Sequence, residues 1–332
     1  MLRVLVTVPK PLRDNILANA MRVELESVAD VVYNEDGHNW SAEELASHLA
    51  DRDAILASWG LAKLDEAVLS KAPELKIVAY AAGSVKGFAT DALFDRGIAL
   101  THAAGRIADS VAEFSLLMAM MGLKRPHEFD RQLKAGVEWP KSRDMALYEI
   151  AGKRVGLLGM GYVGQRSARL FNAVGADVWV YDPYLAEEKA ASMGVRKTTL
   201  DDLFRSCKVI SNHLPITPET HHLIGEPQFA LIQDGAVFVN TARAWTVDQE
   251  AMTRELATGR FWAALDVFDK EPLAIDHPLR KMDNVLLTPH VAGLSRDSYE
   301  GIMAEMIGEL KRFAIGEPLQ YRVTREMLER MA

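Results

Sequence analysis

The chain has 332 residues, 49% hydrophobic and 25% charged, with a formal net charge of -8. Those values fit a globular protein of about two domains, and an acidic balance without a basic stripe argues against a nucleic-acid partner. Cys207 is the only cysteine, which rules out an intrachain disulfide and fits a reducing, cytoplasmic location.

The amino terminus, Met1 to Pro9, is too short in its apolar part for a secretory signal and reads as a first strand. Further strands are predicted at Val28–Tyr33, Ala54–Ser58, Lys76–Ala81 and Ile98–Thr101, with helical stretches such as Ser41–Ala50 between them. Short Val- and Ile-rich runs separated by helices predict a parallel sheet covered on both faces. Ser110-Val-Ala-Glu113 reads as a capping box opening a helix whose Phe114–Leu123 stretch is apolar nearly all round. Such a helix must be covered by its own domain or by a second subunit. The longest apolar run, Phe114 to Gly122, is half the length a membrane span needs, so no membrane partner is expected.

After a polar stretch from Trp139 to Tyr148, a second series begins: Arg154–Leu158, Asp177–Tyr181, Val209–Asn212, Ala236–Asn240, Ala263–Asp266 and Val285–Leu287. These six match the strand number of a full dinucleotide-binding sheet. A helix over Ser298–Phe313 and a last helical piece beyond Pro318 close the chain. The first of its strands runs into Gly159-Met160-Gly161-Tyr162-Val163-Gly164, and the second ends on Asp182. Gly159 permits the tight turn, Gly161 lets backbone approach a pyrophosphate, and Gly164 lets the following helix pack on the strand. Asp182 is placed to accept from an adenosine ribose, which disfavours a 2′-phosphate and makes NADH the expected cofactor over NADPH. The first series has no such loop and is expected to hold substrate.

Three later strand ends carry residues able to do chemistry, where open α/β sheets place their ligands. One is Asn240-Thr241-Ala242-Arg243, whose guanidinium fork suits a carboxylate. Another is the acidic run Asp266-Val-Phe-Asp269-Lys-Glu271. The third is Thr288-Pro-His290 followed by small residues up to Gly293. A dinucleotide, an anion-binding arginine, an acid and a histidine make the minimum kit for reducing a 2-keto acid. Arg243 would hold the carboxylate and polarise the carbonyl, while His290 as imidazolium would protonate its oxygen. A carboxylate on the far ring nitrogen would fix the tautomer. His221-His222 reads as a solvated pair, and no spacing resembles a metal site.

At these residues the sequence resembles the D-isomer-specific 2-hydroxyacid dehydrogenases. The likeness runs through Ser110–Glu113, Leu157–Gly164 with Asp182, His213–Thr220, Val239–Arg243, Leu265–Phe268, Glu271-Pro272 and Thr288–His290. It implies two doubly wound α/β domains: a discontinuous flavodoxin-like substrate domain, 1–103 plus 295–332, and a Rossmann NAD-binding domain, 104–294. It implies Arg243, Glu271 and His290 as catalytic residues, choosing Glu271 over Asp269 as partner of the histidine. Cofactor contacts are implied at Gly159, Gly161, Tyr162, Val163, Gly164, Asp182, Thr241, Ala242, Arg243, Asp266, His290 and Gly293. Amides of Ala82 and Gly83 would meet the substrate carboxylate alongside Arg243 and His290. The substrate would be a small 2-keto or 2-hydroxy acid of the glyoxylate or hydroxypyruvate kind, and the assembly a homodimer through the NAD-binding domain.

The chain departs from the family at Ala244 and the bulky Trp245 after the arginine, at Ser84-Val-Lys-Gly-Phe88 in the substrate loop, and at Trp262. No substrate is carried over for that reason, and an aromatic acid would suggest a pocket widened near Phe88. Two rival readings stand beside this one. A formate or phosphite dehydrogenase on the same scaffold is one, and formate dehydrogenases lack the glutamate. The other is an NADH-sensing, corepressor-like scaffold, which needs a peptide groove and tails.

Overall fold

Runs of β-branched and small apolar residues, each followed by a helix, build two separate sheets in a computed structural model that describes residues 1–141, 145–328 and 331. Parts of the predicted polar stretch (142–144) and of the predicted carboxyl-terminal segment (329, 330 and 332) lie outside the described residues. The chain divides into two units, Met1–Ile107 with Leu294–Ala332, and Ala108–Gly293.

In the first unit the strands are β1 (Leu2–Val6), β2 (Ala29–Tyr33), β3 (Ala54–Ala57), β4 (Ile77–Tyr80) and β5 (Ala99–His102). They pair in the order β2-β1-β3-β4-β5, all parallel, which is the flavodoxin-like winding. Strands β3, β4 and β5 are buried along their whole lengths, so they show no polar alternation. A sixth strand, Arg322–Val323, adds antiparallel to β5. Two residues give no periodicity to read, and the sequence showed no sign of it. At the opposite end of the strands, Asp53 ties β1 to the approach to β4. It accepts from Arg3 Nε at 2.8 Å and from Lys76 Nζ at 2.8 Å.

The second unit holds β6 (Arg154–Leu158), β7 (Asp177–Tyr181), β8 (Arg196–Lys197), β9 (Val209–Asn212), β10 (Val237–Asn240), β11 (Trp262–Leu265) and β12 (Val285–Leu287). Their order, β8-β7-β6-β9-β10-β11-β12, is the doubly wound dinucleotide-binding order, and the direction of winding reverses between β6 and β9. The sheet has seven strands where six were expected, the addition being the two-residue edge strand β8. Its core packs Phe204, Phe229, Phe238 and Phe261 on one face, and Phe171, Val178 and Val180 on the other.

The predicted capping box is corrected. The helix runs unbroken over Ala104–Lys124, so Ser110 lies inside it, and the Ser110 hydroxyl donates to the Ala292 carbonyl at 3.0 Å. Single Gly105 does not stop a helix that Ala103 and Ala108 help to bury. Leu117 (52% exposed) and Met120 (37%) remain open to solvent along it. No helix among the described residues is long and apolar enough to cross a membrane.

Candidate active site

The glycine turn after β6 is shaped by what its neighbours allow. Gly159 has φ +89°, and a Cβ there would lie 2.9 Å from the His213 carbonyl oxygen. A Cβ on Gly164 would lie 2.1 Å from the Gly159 oxygen, so the helix Tyr162–Ala173 can sit this close only without a side chain at that point. A Cβ on Gly161 would meet nothing within 4 Å. Gly161 makes no side-chain cap, so the first amides of that helix face open space. Asp182 closes the turn: its carboxylate accepts from Met160 N–H and from Tyr184 N–H, each at 2.8 Å. Open backbone donors beside a braced carboxylate fit a pyrophosphate and a ribose diol. Tyr162 is exposed and Val163 half-buried at the start of the helix.

At the end of β10, Asn240 Oδ1 accepts from Ala242 N–H at 3.1 Å and from Asn212 Nδ2 at 3.1 Å. Asn212 also donates to Thr246 Oγ1 at 2.7 Å. Thr241 is buried, its hydroxyl paired with Ser115 Oγ at 2.7 Å. This buried polar network shapes the turn that carries Arg243, and the sequence reading missed Asn212 and Thr246. The available signal was polar residues closing apolar strands, where a buried amide must find partners. Arg243 Nη1 donates to the Ala242 carbonyl at 2.6 Å, and burial pushes its guanidinium below the ordinary value while the charge of Glu271 acts the other way. Arg243 follows β10 and Glu271 lies in the loop after β11, the neighbouring parallel strand, so both stand at the same end of the sheet.

Glu271 accepts from Phe268 N–H at 3.0 Å through one oxygen and meets His290 Nδ1 at 2.7 Å through the other. With Nδ1–H donating to the carboxylate, the Nε2 atom of His290 is the one left for chemistry. His290 has φ +56°, a left-handed conformation that a β-carbon makes unfavourable. Asp266 holds it there. That carboxylate is fully buried, and it accepts from Thr288 Oγ1 at 2.6 Å, Val291 N–H at 2.9 Å and Ala292 N–H at 2.9 Å. Asp266 thus braces the turn from Thr288 to Gly293 on both sides of the histidine. Asp269, the other acid of this run, instead accepts nothing from His290; its amide donates to Gln249 Oε1 at 3.1 Å.

In the first unit, the loop after β4 carries Ala82 and Gly83. The Ala82 amide donates to the Tyr80 carbonyl at 2.8 Å. Gly83 has its carbonyl held by His102 Nδ1 at 3.1 Å, and among the described residues no backbone carbonyl accepts from its amide. Phe88 is 2% exposed and packs on Tyr80 in the core, with ring centroids 4.6 Å apart. Trp262 is likewise structural, with the Arg125 guanidinium 4.3 Å from its ring centroid.

Residues 116–292 match the family model described as D-isomer specific 2-hydroxyacid dehydrogenase, NAD binding domain. A D-3-phosphoglycerate dehydrogenase of Archaeoglobus fulgidus is 34% identical over 87% of this chain, which spans only 54% of that relative's length. A glyoxylate reductase of Korarchaeum cryptofilum is 34% identical, with 87% of this chain and 88% of the relative covered. Among solved structures, a D-lactate dehydrogenase of Aquifex aeolicus complexed with NAD and lactic acid is 28% identical. It superposes with a TM-score of 0.75, covering 95% of this chain and 96% of that one. By the matched domain and by these relatives, the chain belongs to the D-isomer specific 2-hydroxyacid dehydrogenases, a family of NAD-dependent oxidoreductases.

Proposed function

We propose that this chain reduces small 2-keto acids to D-2-hydroxy acids with NADH, and that Arg243, Glu271 and His290 carry the reaction. The observation that supports the reading most is the 2.7 Å contact of Glu271 with His290, with Arg243 on the neighbouring loop at the same end of the sheet. NADH, when bound, supplies the hydride. The chain's own part is to hold and protonate. The Arg243 fork would take the substrate carboxylate and draw electron density from the neighbouring carbonyl. His290 would give the proton on Nε2 to the carbonyl oxygen, and Glu271 would stabilise the imidazolium while it waits. In the opposite direction the same nitrogen would accept the hydroxyl proton.

NADH over NADPH rests on Asp182. A 2′-phosphate beside that carboxylate would bring two negative charges together. A homodimer through the second unit is part of the same reading, supported by solvent-facing Leu117 and Met120 on the helix Ala104–Lys124. A cytoplasmic location fits the lone, buried Cys207. The relatives named for phosphoglycerate, glyoxylate and lactate mark the range of acids to try. The test is NADH oxidation across glyoxylate, hydroxypyruvate, pyruvate, phenylpyruvate and branched keto acids, with NADPH as the control cofactor. Turnover on at least one acid, faster with NADH, is expected. No turnover on any would overturn the proposal and would favour a formate- or phosphite-type or sensing role.

A further inference from the structure

We propose that three aromatic rings on the second unit, those of Trp245, His221 and His222, form a shelf that selects 2-keto acids bearing a planar aryl side chain. This deepens the proposed function and rests on it.

The rings are contiguous. Trp245 and His221 have centroids 4.2 Å apart at 51°, and His221 stacks on His222 at 4.1 Å and 16°. Two facing histidines and an indole that is 45% exposed would normally be mobile at a surface. Here they are braced. His222 N–H donates to the Trp245 carbonyl at 3.0 Å, and Ile224 N–H donates to the Thr246 carbonyl at 3.0 Å. The indole Nε1–H donates to the Thr217 carbonyl at 3.3 Å. His222 is held at φ +48°, a conformation that keeps its ring on the stack at a backbone cost. His221 and His222 are both exposed, as the reading of a solvated pair expects, and their rings stack on each other and against Trp245.

The shelf stands on two loops at the same end of the sheet as the loops that carry the catalytic residues. Trp245 stands two residues after Arg243 on the turn that follows β10. His221 and His222 lie in the loop that follows β9, the strand that pairs with β10. A keto acid whose carboxylate is held by Arg243 has its side chain as the only part left to be discriminated. A fixed aromatic face offers apolar area and ring-edge contacts at little entropic cost, which favours a planar aryl group.

The experiment compares kcat/KM for phenylpyruvate and glyoxylate in the wild type, Trp245→Gly and Trp245→Phe. In parallel, calorimetry measures D-phenyllactate binding to each protein saturated with NADH, a pair that cannot react. Expected is a wild-type preference for phenylpyruvate. Trp245→Gly should lower its kcat/KM by about tenfold, mainly through KM, with glyoxylate kept within about twofold and Trp245→Phe retaining most of the preference. Equal losses on both acids, or no loss on either, would overturn the shelf while leaving the proposed function standing. Absence of all turnover would overturn the proposed function. The calorimetry then decides alone: saturable phenyllactate binding weakened by Trp245→Gly supports the shelf, and binding that is absent or unchanged refutes it.

Discussion

The carboxylate of Glu271 reaches His290 Nδ1 at 2.7 Å while its second oxygen is anchored by the Phe268 amide. That anchoring sets the direction of the contact as well as its length. Glutamine is nearly isosteric but neutral, and its amide can present an N–H to the ring instead of an acceptor. Glu271→Gln is therefore expected to lower the keto acid reduction rate by ~10²–10⁴-fold, the range a positioned acid–base group contributes. The dissociation constant for NADH should stay within about twofold in the same titration, since no part of the glycine turn is touched.

Arg243 lies in a desolvated place where only a delocalised cation with a planar fork is well suited. Arg243→Lys keeps the charge and loses the bidentate geometry. Both terms should suffer: KM rises and kcat falls, together lowering kcat/KM by about 10²-fold or more, as expected for ~3 kcal/mol of lost charge-assisted hydrogen bonding. Steady-state kinetics on the best acid of the panel would show this. A change confined to KM would mean that the guanidinium binds substrate without assisting the reaction.

Asp182 does two jobs, and one of them is visible in the backbone: it fixes the Met160 and Tyr184 amides. Asp182→Ala removes both anchors and the charge that would oppose a 2′-phosphate. NADH affinity should fall about 10- to 100-fold, the worth of hydrogen bonds to a charged group, while NADPH affinity falls less or rises. Fluorescence titration with each cofactor measures the ratio.

The sequence carried most of this arrangement because the apolar strands and the glycine turn are local patterns. Asp182, Arg243 and His290 stand at strand ends or just beyond them, where a chain-order reading can find them, whereas Glu271 was told apart from Asp269 only by the family resemblance. Three things were not legible. The edge strands Arg196–Lys197 and Arg322–Val323 are too short for periodicity. Ser110 and Glu113 imitate a capping box inside a continuous helix, because a local motif cannot report that the chain is already helical from Ala104. The partners of Asp266, which are Thr288, Val291 and Ala292, were not legible either, because long-range partners of a buried carboxylate leave no local trace.

The first unit offers a separate test of stability. Hydrogen bonding from Arg3, aided by Lys76, holds the Asp53 carboxyl well below the usual carboxylate range despite the opposing effect of burial. A depressed native pKa means stability that is fully present above the unfolded value, near 3.8, and lost as pH falls toward the native value. Asp53→Asn should cost ~1–3 kcal/mol at neutral pH. The gap between variant and wild type should narrow steadily below about pH 4. Urea midpoints across that range measure it, and a gap that stays constant in acid would contradict the assignment.

The central claim is that His290 is the proton donor, and His290→Ala measures it most directly, with single-turnover reduction of a keto acid read beside NADH binding. The account predicts a rate lowered by ~10²–10⁴-fold with NADH affinity almost unchanged. Turnover close to that of the wild type would contradict it.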